Sequence, residues 1–233
     1  MNYKIHYLQF VILDFDYKMR VNRNEGFIIR KEFYLLFLLA ILSSCKRENE
    51  IDFNTIATAG NSTDFGDTLA AHVATGGSVA SSTRGVYSVG YLSGSYVNNI
   101  EFITIATTGN GQDFGDLNAA KGYHFRGSIC DSTRGLFSGG YDPAGNVQNK
   151  IDFITIASTG NATDFGDLFL ARRSAGGTSN SIHSIFAGGY LPGVNNTIDR
   201  VLIQTTGNAA DFGDFFFRTH ENSGSSDSHG GLS

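Results

Sequence analysis

Past residue 50, short apolar runs alternate with clusters of Gly, Asn, Asp, Ser and Thr. One such run is Phe153, Ile154, Thr155, Ile156 and Ala157, entered through Ile151 and Asp152 and followed by the turn Gly160-Asn161. Runs this short, bounded by turn residues, predict strands and not helices. β-Branched and aromatic side chains fit a pleated surface, and Gly and Asn fit the tight turns between strands. Alternation along the run is imperfect: Ile151, Phe153 and Thr155 fall on one face, Asp152, Ile154 and Ile156 on the other. Apolar residues on both faces predict strands covered on both sides, as where one sheet packs between two others. The expected fold class is all-β.

The pattern recurs. Ile51-Asp52-Phe53, Ile100-Glu101-Phe102, Ile151-Asp152-Phe153 and Ile198-Asp199-Arg200 open matching units near 51–99, 100–150, 151–197 and 198–233. Each unit reaches a Gly-Asn turn (Gly60-Asn61, Gly109-Asn110, Gly160-Asn161, Gly207-Asn208) and then the tetrapeptide Asp-Phe-Gly-Asp. The period is about 50 residues, in the range of propeller blades. A second half follows less strictly. Ser82-Thr83-Arg84-Gly85 and Ser132-Thr133-Arg134-Gly135 lead into runs ending Val89-Gly90-Tyr91 and Gly139-Gly140-Tyr141, and the third copy ends Gly188-Gly189-Tyr190. Each unit is expected to supply four short strands: the Gly-Gly-Tyr run, the Ile-Asp-Phe-Ile run, the Asp-Phe-Gly-Asp-Leu run, and a less regular run such as 171–178.

A strand ending in Gly-Gly-Tyr, then a variable loop, then a further apolar strand resembles the kelch repeat, over about residues 51–233. The resemblance implies a kelch-like β-propeller of about four units. Kelch repeats usually carry a Trp after the second strand region, and this chain has none; its first copy has Val89-Gly90 in place of Gly-Gly. The TGN-x-x-DFGD signature also resembles kelch-like repeats of marine bacterial and phage proteins, some of which look like tail-fibre or surface proteins. A propeller needs at least about four blades. Three arrangements are consistent with the count: an incomplete ring, a truncated product, or subunits that complete each other as a homo-oligomer.

The region before the repeats reads differently. Residues 33–42 form the uncharged run FYLLFLLAIL, preceded by Lys18, Arg20, Arg23, Arg30 and Lys31 and followed by Ser43, Ser44 and Cys45. Roughly ten apolar residues are about half of what a membrane-spanning helix needs. A basic stretch, a short apolar stretch and small residues at the end describe a secretory signal or a membrane anchor within 1–45. Leu42-Ser43-Ser44-Cys45 resembles a bacterial lipobox, which implies cleavage before Cys45 and lipidation of its thiol. Residues 46–50 would then be a charged tether. A start at Met19 in place of Met1 would leave a signal of about 26 residues.

Composition narrows the chemistry. The net charge is −5, and Lys and Arg are sparse after Glu50, so the basic stripe that nucleic acid requires is missing. With 2 Cys there is no disulfide framework, and no C-x-x-C metal spacing occurs. The recurrent Asp64, Asp67, Asp113, Asp116, Asp164, Asp167, Asp211 and Asp214 are the candidate metal ligands, for Ca²⁺. The competing reading, in which Asp and Gly build turns in every copy, is favoured. Arg84 and Arg134 could recognise an anionic group, but a structural role, bonding backbone carbonyls or the nearby motif Asp, is favoured because the third copy has His183 there. Cys130 sits beside Asp131 where other copies carry a small residue such as Ser81. No nucleophile elbow or phosphate loop is present, so no cofactor and no catalysis are expected.

The stretches that differ between copies are 92–99, 142–150 and 191–197. They place Tyr96, Asn98, Asn146 and Asn196 at one rim, as candidate ligand-binding residues for a protein or a glycan. The expected function is a non-enzymatic binding or scaffolding module tethered at the cell envelope. The alternative is a phage or virus structural or host-recognition protein, located in the virion. An enzyme with its site in the propeller mouth ranks last.

Overall fold

The computed structural model describes residues 49–55, 57–72, 76–124 and 129–224. The apolar run at 33–42, Cys45 and the first residues of the tether lie outside these residues. Asn49 and Glu50, the last two residues of the expected tether, belong to the first sheet: Thr68 N–H donates to Asn49 O at 2.7 Å.

The described residues contain strands and no helix. The chain opens with β1 (Glu50–Phe53) paired to β2 (Thr63–Asp67). It continues through β3 (Ser78–Ala80), β4 (Arg84–Ser88), a small hairpin of β5 (Tyr91–Leu92) and β6 (Ser95–Tyr96), then β7 (Asn99–Thr104) and β8 (Gln112–Asp116). Here β3, β4, β7 and β8 form a four-stranded antiparallel sheet in chain order. The third sheet has β9 (Arg134–Ser138), β10 (Lys150–Thr155) and β11 (Thr163–Asp167). The fourth has β12 (Gly176–Ser179), β13 (His183–Ala187), β14 (Asn195–Leu202) and β15 (Ala210–Thr219), again in chain order. Among the described residues these sheets close into neither a barrel nor a ring.

Sheets and sequence copies are out of step. Copy 51–99 supplies β1 and β2 to the first sheet but β3 and β4 to the second, where β7 and β8 come from copy 100–150. The irregular run 171–178 was expected to finish a unit. Instead Gly176–Ser179 begins the fourth sheet, paired to β13. The Gly-Gly pairs lie just past the strands, with φ of +61° and +106° at Gly139 and Gly140. A Cβ at Gly140 would stand 2.5 Å from the Gly122 carbonyl oxygen, so glycine lets two chain segments meet there.

A β-bulge recurs where each Ile-Asp-Phe strand meets its Asp-Phe-Gly-Asp strand. Ile151 pairs with Gly166 but Asp152 pairs with Asp164, which leaves Phe165 as the extra residue. The same shift occurs at Ile51/Asp52, Ile100/Glu101 and Ile198/Asp199. A bulge re-aims the side chain it releases. Phe65, Phe114 and Phe165 are buried, and each meets the Phe of its partner strand edge-on at about 6 Å (Phe53 at 6.0 Å, Phe102 at 6.0 Å, Phe153 at 6.1 Å).

The cores lie between sheets. One joins Val79, Val86, Ile100, Phe102 and Phe114 of the second sheet to Phe137 and Ile154 of the third. The other joins Leu136, Ile151 and Phe165 of the third to Phe186 and Val201 of the fourth. Leu136 and its neighbour Phe137 thus point to opposite cores, as strand geometry requires. This explains the two-sided apolar pattern: a sheet between two others must bury both faces.

Three kinds of polar contact lock consecutive sheets together, the second of them at the two junctions that the third sheet makes. The first is a hook. The Gly-Asn turn of one sheet pairs along the Asp-Phe-Gly-Asp strand of the sheet before it. Gly160 N–H donates to Phe114 O at 2.7 Å, Ala162 N–H to Asp116 O at 2.8 Å, and Asp116 N–H to Asn161 Oδ1 at 3.0 Å. Gly109-Asn110 does this to β2, and Gly207-Asn208 does it to β11. The motif glycine is required for the hook: at φ +140°, a Cβ on Gly115 would lie 2.4 Å from the Gly160 carbonyl oxygen. The second contact is the motif arginine. Arg84 Nη1 donates to Ile156 O at 3.1 Å and Arg134 Nη1 to Ile203 O at 3.2 Å, each in the following sheet. Their guanidinium groups cover the rings of Phe102 and Phe153 at 4.6 and 4.5 Å.

The third contact is a buried latch. Glu101, Asp152 and Asp199, the acids that follow the opening Ile in the last three copies, reach back to the segment leaving the preceding sheet. Asp152 pairs with Lys121 Nζ at 2.8 Å, with side chains 3% and 2% exposed. Asp199 pairs with Arg172 at 3.0 Å, both fully buried. Glu101 accepts from Leu69 N–H at 3.1 Å and from Tyr87 O–H at 2.7 Å. Burial pushes the Tyr87 phenol above its ordinary range, and Glu101 adds to the effect. Burial likewise lowers the Lys121 ammonium, against the attraction of Asp152, and raises the Asp199 carboxyl, against that of Arg172.

Candidate functional site

The repeated carboxylates occupy the hook, not a cluster. Asp64, Asp113, Asp164 and Asp211 are exposed and stand opposite Asp52, Glu101, Asp152 and Asp199 in register. Asp67, Asp116 and Asp167 give their backbone N–H to the hook asparagine, and Asp167 also pairs with Lys150 at 2.9 Å. Asp214 is the exposed counterpart in β15. Among the described residues no group of three or more His, Cys, Asp and Glu side chains gathers as a metal site.

Cys130 is buried beside the second sheet, with its Sγ 3.4 Å from Ala80 O and its backbone exchanging two hydrogen bonds with the Ser179 hydroxyl. Its counterparts are therefore Ala80 and Ser179; Ser81 instead matches Asp131. Ser81, Asp131 and Asn180 each cap the turn before β4, β9 or β13 through a side-chain oxygen.

The four rim residues fall into three settings. Asn98 and Asn196 hold the same repeat position. Asn98 Nδ2 donates to Leu117 O at 3.4 Å and Asn196 Nδ2 to Phe215 O at 3.2 Å, so both amides tie a strand end to the end of its neighbour. Asn146 is exposed in the 142–150 loop and bonds Asp142 through both its backbone and side-chain N–H, at 2.8 and 3.1 Å. Gln148 donates to the same carboxylate at 2.9 Å. The two bonds from Asn146 hold the Asp142 carboxyl below its ordinary value. Tyr96 belongs to an aromatic file. Its ring meets Tyr91 at 5.2 Å and Tyr123 at 6.2 Å, and Tyr123 meets Tyr141 at 6.2 Å. Burial raises the Tyr96 phenol. The Arg173 guanidinium lies over Tyr123, Tyr141 and Tyr190, at 5.4, 4.8 and 4.7 Å, which fixes the file against the third and fourth sheets.

A cleft of about 450 Å³ opens between residues 118–121 leaving the second sheet and the 142–150 loop of the third. Its lining includes Asn118, Lys121, Asp142, Gln148, Asp152 and Asp164. Asn118 Nδ2 donates to Asp152 Oδ1 at 2.7 Å, so the buried latch forms part of the wall. The repeat is broken here. The positions equivalent to Asn118 carry Leu69, Phe169 and Phe216, all exposed apolar residues. The sequence reading did find the 142–150 loop as variable. It missed Asn118, Lys121 and Asp152, since only alignment of one copy against the others marks Asn118 as the odd residue.

Carboxylates, amides and an ammonium around an accessible hollow can hold hydroxyl-rich ligands in orientation. No nucleophile stands beside a general base in this lining. No protein-family model matches the chain, and no curated protein matches it.

Proposed function

We propose that this chain is a non-enzymatic binding module of kelch-like propeller type, held at the cell envelope through Cys45, and that it takes a glycan in the cleft between its second and third sheets. The observation that carries this reading is the replacement of an apolar repeat residue by Asn118 next to the variable loop holding Asp142 and Gln148. Consecutive antiparallel sheets of up to four strands, each docked on the next, support the propeller part of the reading. The cleft volume falls in the range of small-ligand sites, roughly 300–1,000 Å³. A rigid stack with one variable loop at the mouth is a common way to build recognition.

The test is a glycan array probed with the full-length chain and with Asn118→Leu, which restores the residue type of the other copies. Binding of a defined glycan by the wild type, with at least tenfold weaker binding by Asn118→Leu at unchanged thermal stability, is the expected result. Equal binding by both proteins, or no glycan bound at all, overturns the cleft as the site.

A further inference from the structure

The same hook and receiving strand join every pair of consecutive sheets, and among the described residues the two halves are left unmatched at the two ends of the series. The fourth sheet ends in β15, which carries the receiving motif Asp211–Asp214 in the strand Ala210–Thr219. At Gly66, Gly115 and Gly166 an added Cβ would meet the carbonyl of a hook glycine at 2.4–2.5 Å, whereas at Gly213 it would meet nothing within 4 Å. The bulge residues Phe114 and Phe165 are 2% exposed, and Phe212 is 51% exposed. Phe216 and Phe217 beside it are 91% and 75% exposed. At the other end, the first sheet carries the hook Gly60-Asn61, and Ser62 after it is exposed, whereas the residues that follow the docked hooks, Gly111, Ala162 and Ala209, are buried. The latch acid of that sheet, Asp52, is exposed too, while its counterparts Glu101, Asp152 and Asp199 are 4%, 2% and 0% exposed.

We infer that β15 of one molecule receives the Gly60-Asn61 hook of a second copy of this chain, repeating between molecules the junction that the chain makes three times within itself. The occupant is argued from continuity: residue types, strand and turn are those of the internal junctions. Burying an apolar run of three phenylalanines is also the ordinary use of a surface patch this large. The contact is heterologous, a hook on one copy and a receiving strand on the other, so successive copies form a closed ring or a filament according to the rotation per copy.

The experiment is cross-linking of the full-length chain in a Cys45→Ser, Cys130→Ser background, where Ser already occupies the position equivalent to Cys130. Asn61→Cys is placed on one tagged copy and Asp214→Cys on another, untagged. A short bis-maleimide should give a covalent dimer in the mixture, at least tenfold above either variant alone. Absence of the dimer in the mixture overturns the inference, as it would if residues 1–48 covered β15. Equal dimer in the single variants overturns it as well. So does cross-linking at monomer mass in a chain carrying both cysteines, since the chain would then close on itself. Phe212→Asp, at an exposed position, provides the second measurement: with an unchanged circular dichroism melt it should cut the cross-link at least tenfold, and an undiminished cross-link overturns the inference.

Discussion

The strands β11 and β15 carry one motif in two environments. In β11, Phe165 is buried, Gly166 lies under the Gly207 carbonyl, and the next sheet's acid, Asp199, closes a buried pair with Arg172. In β15 the same tetrapeptide makes the same bulge with its own neighbour strand, yet Phe212 is exposed and packs under Arg200, at 5.0 Å, in place of a phenylalanine. The bulge is therefore local, set by Gly and by pairing within a sheet. Burial of the phenylalanine is not local; it comes from the hook of the sheet that follows. The motif specifies a junction, and a junction needs both sides.

The strongest way to break this comparison is at the latch. Asp199→Ala leaves the Arg172 charge buried without its carboxylate and should lower the unfolding free energy by about 3 to 5 kcal/mol. Asp52→Ala, at the exposed counterpart, should leave the urea midpoint unchanged. Similar losses from both would mean that the first sheet is latched as the others are. Next is the bulge residue: Phe165→Ala should cost about 3 to 4 kcal/mol, against less than about 1 kcal/mol for Phe212→Ala in dilute solution.

A finer test uses the glycines. Gly166 and Gly213 share a left-handed backbone, φ +144° and +137°, so alanine strains both alike. Only Gly166 faces a carbonyl at 2.4 Å, and Gly166→Ala should be the more destabilising by about 1 to 3 kcal/mol. Equal effects, read from denaturant midpoints, would place the whole requirement in the backbone angle and none in the hook.

A last effect, absent at neutral pH, is set by protonation. His124 is 2% exposed, its Nε2 lies 2.9 Å from Lys121 O, and burial, helped by Lys121, lowers its pKa to about 3. The unfolded chain binds this proton more readily than the folded one. The stabilisation is therefore complete above the ordinary histidine value and is lost as pH falls from about 6.5 towards 3, by roughly 1.4 kcal/mol per pH unit. His124→Gln should flatten that slope between pH 6.5 and 5. An unchanged slope would assign it to another group.

Much of this architecture was legible in the copies themselves. Strand positions, turn residues and two-sided burial followed from short apolar runs, as Ile151 and Ile154 pointing into different cores illustrates. Of the two partners expected for Arg84 and Arg134, backbone carbonyls or the motif Asp, the structure shows the carbonyls of Ile156 and Ile203. What could not be read was which neighbour each group serves. The Asp-Phe-Gly-Asp carboxylates drew notice because they repeat without variation, while the buried acids were Glu101, Asp152 and Asp199. Those acids sit in mid-strand among apolar residues, and their partners, Lys121 and Arg172, change from copy to copy. A pair whose members come from different sheets, with one of them variable, leaves little trace in a single repeat unit. The cleft was hidden for a related reason, since Asn118 stands out only once Leu69 and Phe169 are known to share its place.

The half-copy offset between sequence units and sheets also governs the order in which the chain can be finished on the ribosome. The strands β3 and β4 emerge with the first copy but stay half-paired until β7 and β8 of the second have been made. Each newly synthesised copy therefore completes its predecessor's sheet and begins one it cannot complete. Structure advances from the N-terminal side with a constant lag, and the growing tip always presents an unfinished sheet to whatever strand comes next.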